Sequence, residues 1–260
     1  MKNYLLCLTT ACLTFAGVHA TALGQLALPG DPVIFVVDCS YSMNKKFTNA
    51  GVDTTHWEIT RQTLEVILKE WAGTQQQVGV VLLGHRVGWN VANPQKLERL
   101  AQTKYAKKIP EELMPYEDVE ILLPLGKIGV DELSQAKEAL ESIKPWGETP
   151  IHLAMKKAVD QFPKGQRGRM VVFTDGPNEI FKPAEEAVVS IDQLIDRAVK
   201  ASVGVNVLGM DIYRTADAKG PAEPYRSLSL ATGGSFHTIA NPANLVNAVG
   251  EVFAQQPNQK

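Results

Sequence analysis

Apolar residues fall into two patterns along this chain. Continuous runs, Val33–Val37, Val78–Leu83, Met170–Phe173 and Val203–Met210, are four to eight residues long and rich in valine. Runs of that kind read as strands buried on both faces, as inside a parallel sheet. Between them lie stripes of helical period. Residues 55–72 carry Trp57, Leu64, Ile67, Leu68 and Trp71, and a helix capped by Asp131 carries Leu133, Ala136, Leu140 and Ile143. Thr149-Pro150 opens a third, with Thr149 at the cap and Ile151, Ala154, Met155, Ala158 and Phe162 inward. Further helices are predicted around Ile191–Ala201, Tyr225–Ala231 and after Pro242.

Val119–Leu125 alternates with period two and contains Pro124, which predicts an edge strand antiparallel to its neighbour. Gly233-Gly234 turns the chain into a last short strand, Ser235–Ile239. The stretch 84–118 has weak periodicity, with a helix expected over Pro94–Ala106 and a solvated cluster of Lys104, Lys107 and Lys108. Strands alternating with helices imply an α/β fold: a doubly wound, mostly parallel sheet with one antiparallel edge strand and helices on both faces. One domain, residues 33–255, accommodates all of these elements.

The first 22 residues read as a signal peptide, with Lys2 ahead of an apolar core from Leu5 to Val18 and small residues near Ala20 and Ala22. Residues 23–32 form a linker and 256–260 a polar tail. No second hydrophobic segment follows, so the expectation is an exported protein, periplasmic or secreted, with no transmembrane segment after signal removal. Cys7 and Cys12 leave with the signal. Cys39 then stands alone, without a disulfide partner, and reads as a small buried residue at a strand end. Apolar residues are 45% and charged residues 21% of the chain, ordinary for a globular protein. A net charge of −2 gives no reason to expect nucleic acid or an anionic membrane as partner.

The first buried run ends in Asp38, with Ser40 and Ser42 after it. Ligands of parallel sheets sit beyond the carboxyl ends of the strands. A carboxylate and two hydroxyls there suit a hard cation such as Mg²⁺. The same residues also suit a helix cap, whose oxygens accept the orphan amides of a first turn. A second run ends in Thr174-Asp175, and Thr149 begins a helix that could arrive at the same edge. Two carboxylates brought together there would repel, and a divalent ion would relieve them.

Asp38-x-Ser40-x-Ser42, a distant Thr149 before Pro150, and Thr174-Asp175-Gly176 together resemble the metal-ion-dependent adhesion site (MIDAS) of von Willebrand factor type A domains, in their bacterial secreted form. Leu230-Ala231-Thr232-Gly233-Gly234-Ser235-Phe236 is similar to the C-terminal pattern of those bacterial proteins. The resemblance implies a Rossmann-like fold and a Mg²⁺ ion, with Mn²⁺ or Ca²⁺ as substitutes. It implies Ser40, Ser42 and Thr149 as direct ligands, and Asp38 and Asp175 acting directly or through water. The open coordination position is then filled by an Asp or Glu of a protein partner, and the module is not an enzyme.

An alternative is a Mg²⁺-dependent hydrolase or phosphatase-like enzyme using the strand-end carboxylates. Ser40 stands where an aspartyl phosphotransferase needs a second acid, and there is no G-x-S-x-G elbow. His56, His85, His152 and His237 are scattered and form no zinc motif, so each reads as a surface or core imidazole. His85-Arg86 is expected near the metal edge. The loops 178–186 and 86–118 are expected beside that edge, where they would set partner choice.

Overall fold

The computed structural model describes residues 30–49, 51–90, 93, 95–99, 109–181, 188–212, 220 and 222–254. Residues 1–29, where a signal peptide and most of a linker are expected, the lysine cluster at 104–108 and residues 255–260 lie outside the described residues.

Strand β1 (Val33–Asp38) is followed by a hairpin of β2 (Lys46–Asn49) and β3 (Val52–Thr55), then helix α1 (His56–Trp71). Strand β4 (Gln77–Leu83) leads to a second small hairpin, β5 (Val87–Trp89) with β6 (Leu97–Arg99). Strand β7 (Val119–Lys127), helices α2 (Val130–Ser142) and α3 (Ile151–Val159), and strand β8 (Gly168–Thr174) follow. Helix α4 (Ile191–Lys200), strand β9 (Val203–Met210), helix α5 (Glu223–Thr232), strand β10 (Phe236–Ile239) and helix α6 (Leu245–Ala254) complete the order.

The main sheet runs β10-β9-β8-β1-β4-β7. Every pairing in it is parallel except β4 with β7, so the period-two segment is the antiparallel edge strand expected. Its alternation is not carried through. Extra residues of β7 oppose β4 around Val78–Val81, and these bulges leave Ile121 exposed while Leu122 and Leu125 pack on opposite faces.

The pleat of β1 divides the core. Val33, Phe35 and Val37 face α1, α2 and α6, whereas Ile34 and Val36 face α3, α4 and α5. All five are at most 3% exposed. Burying side chains of this size contributes on the order of 1.5–3 kcal/mol each, which holds the central strand between two helical layers.

Three local expectations need correction. Leu97–Arg99 is not helical but pairs with β5, Leu97 opposite Trp89; residues 100–108 lie outside the described set. Asp131 is not the cap of α2: Gly129 is, and the Glu132 carboxylate accepts its amide at 3.1 Å. Thr149 does not cap α3 either. Pro150 occupies that place, and Thr149 forms an isolated antiparallel bridge with Glu179.

Candidate functional site

Buried parallel strands spend their amides and carbonyls on each other, so side-chain chemistry collects where they end. Asp38 closes β1, and its carboxylate is fully buried. Oδ1 accepts the Ser40 amide at 2.8 Å, and Oδ2 accepts the Thr174 hydroxyl, at the end of β8, at 2.7 Å. Ser40 is the extended residue before a single 3₁₀ turn, Tyr41–Asn44. Its hydroxyl caps nothing there; Oγ lies 3.1 Å from Ser42 Oγ. The Ser42 hydroxyl donates to Asp175 Oδ1 at 2.6 Å. Asp38, Ser40, Ser42 and Asp175 are thus joined in one hydrogen-bonded chain across two adjacent strand ends.

Thr149 reaches this edge by its backbone. The Trp146 amide donates to the Cys39 carbonyl at 3.2 Å, and the Tyr41 amide to the Gly147 carbonyl at 3.0 Å. Gly84, at the end of β4, adopts φ +69°, and a Cβ there would stand 2.2 Å from the Glu148 carbonyl and 3.1 Å from Ser40 Cα. Only a residue without a side chain lets these three segments close together. Thr149 itself is buried, and its amide donates to the Glu179 carbonyl at 2.9 Å.

Burial first, and the Asp175 charge second, push the Asp38 carboxyl up to about 6, against the opposing hydrogen bonds of Ser40 and Thr174. Among the described residues, no Lys or Arg forms an ion pair with Asp38. Nor, among them, do three His, Cys, Asp or Glu side chains converge as a metal-binding group. The donors here are instead carboxylates mixed with neutral hydroxyls, an oxygen set that fits Mg²⁺ or Ca²⁺ and not the nitrogen and sulfur chemistry of zinc.

Cys39 is a buried spacer, as expected. Its thiol lies 3.6 Å from the Val37 carbonyl, and burial together with Asp38 holds its pKa well above the ordinary thiol range. Both effects disfavour the thiolate form that a cysteine nucleophile needs. His85 and Arg86 do lie past the end of β4, where both engage carboxylates of the β7 segment. His85 Nε2 is 3.0 Å from Glu120, and Arg86 Nε donates to Asp118 at 2.6 Å.

Parts of both flanking loops are tied to the Thr149 segment. Glu148 accepts from Trp89 Nε1 at 2.5 Å and from the Phe181 amide at 2.9 Å. The two rings meet edge to face at 5.8 Å, with Phe181 half exposed.

His56 is the residue that pattern reasoning passed over. Its imidazole is fully buried, with Nδ1 2.9 Å from Asp175 Oδ2. The available signal was its place as the first residue of α1, but nothing in the sequence connected it with Asp175, 119 residues on. Asp175-Gly176 is steadied from another side by the buried Tyr225, whose hydroxyl donates to the Gly176 carbonyl at 3.3 Å.

No protein-family model and no curated protein matches the chain. Solved structures do. Conserved hypothetical protein BatB from Bacteroides thetaiotaomicron superposes with a TM-score of 0.53 at 18% identity, over 86% of this chain and 98% of that one. A von Willebrand factor type A protein from Catenulispora acidiphila gives 0.54 at 15%, over 86% of this chain and 42% of that one. The pilus adhesin SpaC from Lactobacillus rhamnosus GG, in its open conformation, gives 0.50 at 15%, over 86% and 30%. The chain spans less than half the length of the last two. Identities this low establish the fold alone: this chain has the Rossmann-like α/β fold of von Willebrand factor type A domains.

Proposed function

We propose that this protein is an exported, metal-dependent protein-binding module of the adhesion type. The observation that carries the reading is the cluster of carboxylates and hydroxyls at the carboxyl edge of the sheet. There Asp38, on the Ser40 amide, and Asp175, on the Ser42 hydroxyl, are linked through the two serines, and burial and the Asp175 charge raise the Asp38 pKa. In this reading Ser40, Ser42 and Thr149 hold a divalent cation, Mg²⁺ first and Mn²⁺ or Ca²⁺ as substitutes. Asp38 and Asp175 neutralise it directly or through water.

The ion supplies a Lewis-acidic position for one carboxylate of a partner protein, an Asp or a Glu. Around it the chain's own residues do the positioning. Asp38 fixes the Ser40 amide, Asp175 accepts the Ser42 hydroxyl's hydrogen bond so that the oxygen lone pairs stay free, and Gly84 lets the Thr149 segment close on the Ser40 loop. Four further observations are in keeping with this reading: the signal-like N-terminus, the absence among the described residues of any helix long and apolar enough to cross a membrane, the fold shared with a pilus adhesin, and the exposed aromatic Phe181 beside the edge.

The test is a pull-down from the native cell in Mg²⁺ and in EDTA, comparing wild type with Thr149→Ala. Capture should require Mg²⁺ and fall in the variant while its thermal unfolding in EDTA stays unchanged. Equal capture by both proteins rejects the reading. So does Mg²⁺-dependent phosphoester hydrolysis by the purified protein that Asp38→Ala abolishes.

A further inference from the structure

Besides Thr174 and Tyr225, a third buried group, His56, supports this chain of polar groups. Both oxygens of Asp175 are engaged, Oδ1 by the Ser42 hydroxyl and Oδ2 by His56 Nδ1. The side chains of His56 and Asp175 are 0% and 2% exposed, so water cannot replace this contact. With Nδ1 on a carboxylate, the proton sits on that nitrogen.

On the far side of the imidazole, Nε2 has no hydrogen-bond partner among the described residues and lies 3.7 Å from Asp211 Oδ2, the same oxygen that takes Lys45 Nζ at 2.7 Å. Asp211 follows β9 and adopts φ +56°, a left-handed backbone that non-glycine residues rarely take. Lys45 and His56 are themselves joined at the base of the β2–β3 hairpin, where the His56 amide donates to the Lys45 carbonyl at 3.1 Å. The hairpin is inserted directly after the turn that carries Ser42. Its closure brings the imidazole of α1 under Asp175, and the ring of Phe47 packs on that imidazole at 5.9 Å.

We propose that His56 is a positioning residue: it locks the Asp175 carboxylate in the orientation that accepts the Ser42 hydrogen bond, and the Lys45–Asp211 ion pair closes the pocket behind it. This rests on the metal reading above. Conserving the arrangement needs a donor at the Nδ1 position and not an imidazole as such. Asn, whose amide nitrogen falls where Nδ1 lies, should therefore substitute for it. Phe keeps the volume and removes the donor.

The experiment is Mn²⁺ binding by titration calorimetry and electron paramagnetic resonance on wild type, His56→Asn, His56→Phe and Lys45→Ala, with thermal unfolding of each in EDTA. Removing such an outer support typically costs 10–100-fold in metal affinity. Wild type and His56→Asn should bind within about threefold of each other, His56→Phe more weakly by about that 10–100-fold factor, and Lys45→Ala in between.

The exposed Lys45 variant covers the case in which His56→Phe fails to fold. The ¹⁵N–¹H signal of the His56 Nδ1 should also appear in metal-free wild type, in slow exchange with water, and shift on Mg²⁺ titration. If wild type binds Mn²⁺ and both His56→Phe and Lys45→Ala bind it equally well, the assignment of His56 is overturned while the metal site stands. If wild type binds no Mn²⁺, the metal reading falls and takes this proposal with it.

Discussion

Asp38 and Asp118 are both fully buried aspartates, one strand apart at the same edge of the sheet, and their surroundings are opposite. Asp118 accepts the Arg86 guanidinium at 2.6 Å, the Arg86 amide at 2.6 Å and the Val87 amide at 3.0 Å. Its charge is met by a cation of the chain itself. Asp38 is met by an amide, a hydroxyl and the repulsion of a second carboxylate. Burying an anion costs several kcal/mol, which only pairing offsets. At Asp118 the pairing is internal, and the result is a clasp between the β4 and β7 ends. At Asp38 no Lys or Arg among the described residues supplies it, so a proton is favoured there, and on the proposed reading a bound cation takes that role.

The sharpest way to break the comparison is to remove each acid. Asp118→Ala leaves a guanidinium and two amides without their acceptor, and urea denaturation should show a loss of about 3–5 kcal/mol. Asp38→Ala in EDTA should cost clearly less, because it also relieves the Asp175 repulsion. Equal losses would erase the distinction.

Next comes pH. The Asp38 carboxyl is raised from 3.8 to about 6 in the folded protein. Its protonated form therefore favours the fold: the stabilisation is complete below pH 3.8 and is lost as pH rises through 6, on the order of 3 kcal/mol in all. Stability of the EDTA-treated protein measured across that window should fall in wild type and stay flatter in Asp38→Asn.

Cation binding comes third. At a hundred times its dissociation constant, Mg²⁺ should stabilise wild type by about 2.7 kcal/mol and Asp175→Ala not at all, read by the shift in thermal midpoint. The smallest effect belongs to the rim. Glu148→Gln weakens the charged acceptor for Trp89 and Phe181, and should cost about 1 kcal/mol while changing tryptophan fluorescence. An unchanged spectrum would show that Glu148 does not hold the aromatic pair.

The central strands were legible because burial on both faces leaves an unbroken apolar run. Val203–Met210 is found with the bounds that the pattern indicates, and Val78–Leu83 gains only Gln77. The β2–β3 hairpin was not legible: Phe47 is partly buried, Val52 is exposed, and backbone pairing leaves little trace in side-chain pattern. Residues 97–99 were misread for the same reason.

Much of the candidate site was visible as chemistry. Asp38, Ser40, Ser42 and Asp175 stand at strand ends in the sequence, and the fold joins them by hydrogen bonds. Thr149 stands at the same edge through its neighbours' backbone contacts, not as the helix cap that its position before Pro150 suggested.

Local pattern determined the layered α/β architecture, the edge at which polar groups collect, and the oxygen character of those groups. Each depends on burial and period along a short segment. Tertiary structure alone decided that His56 sits under Asp175, that Asp118 carries its own cation, and that Gly84 lets three segments meet. These depend on which distant side chains share one low-dielectric space, a property that no single segment encodes.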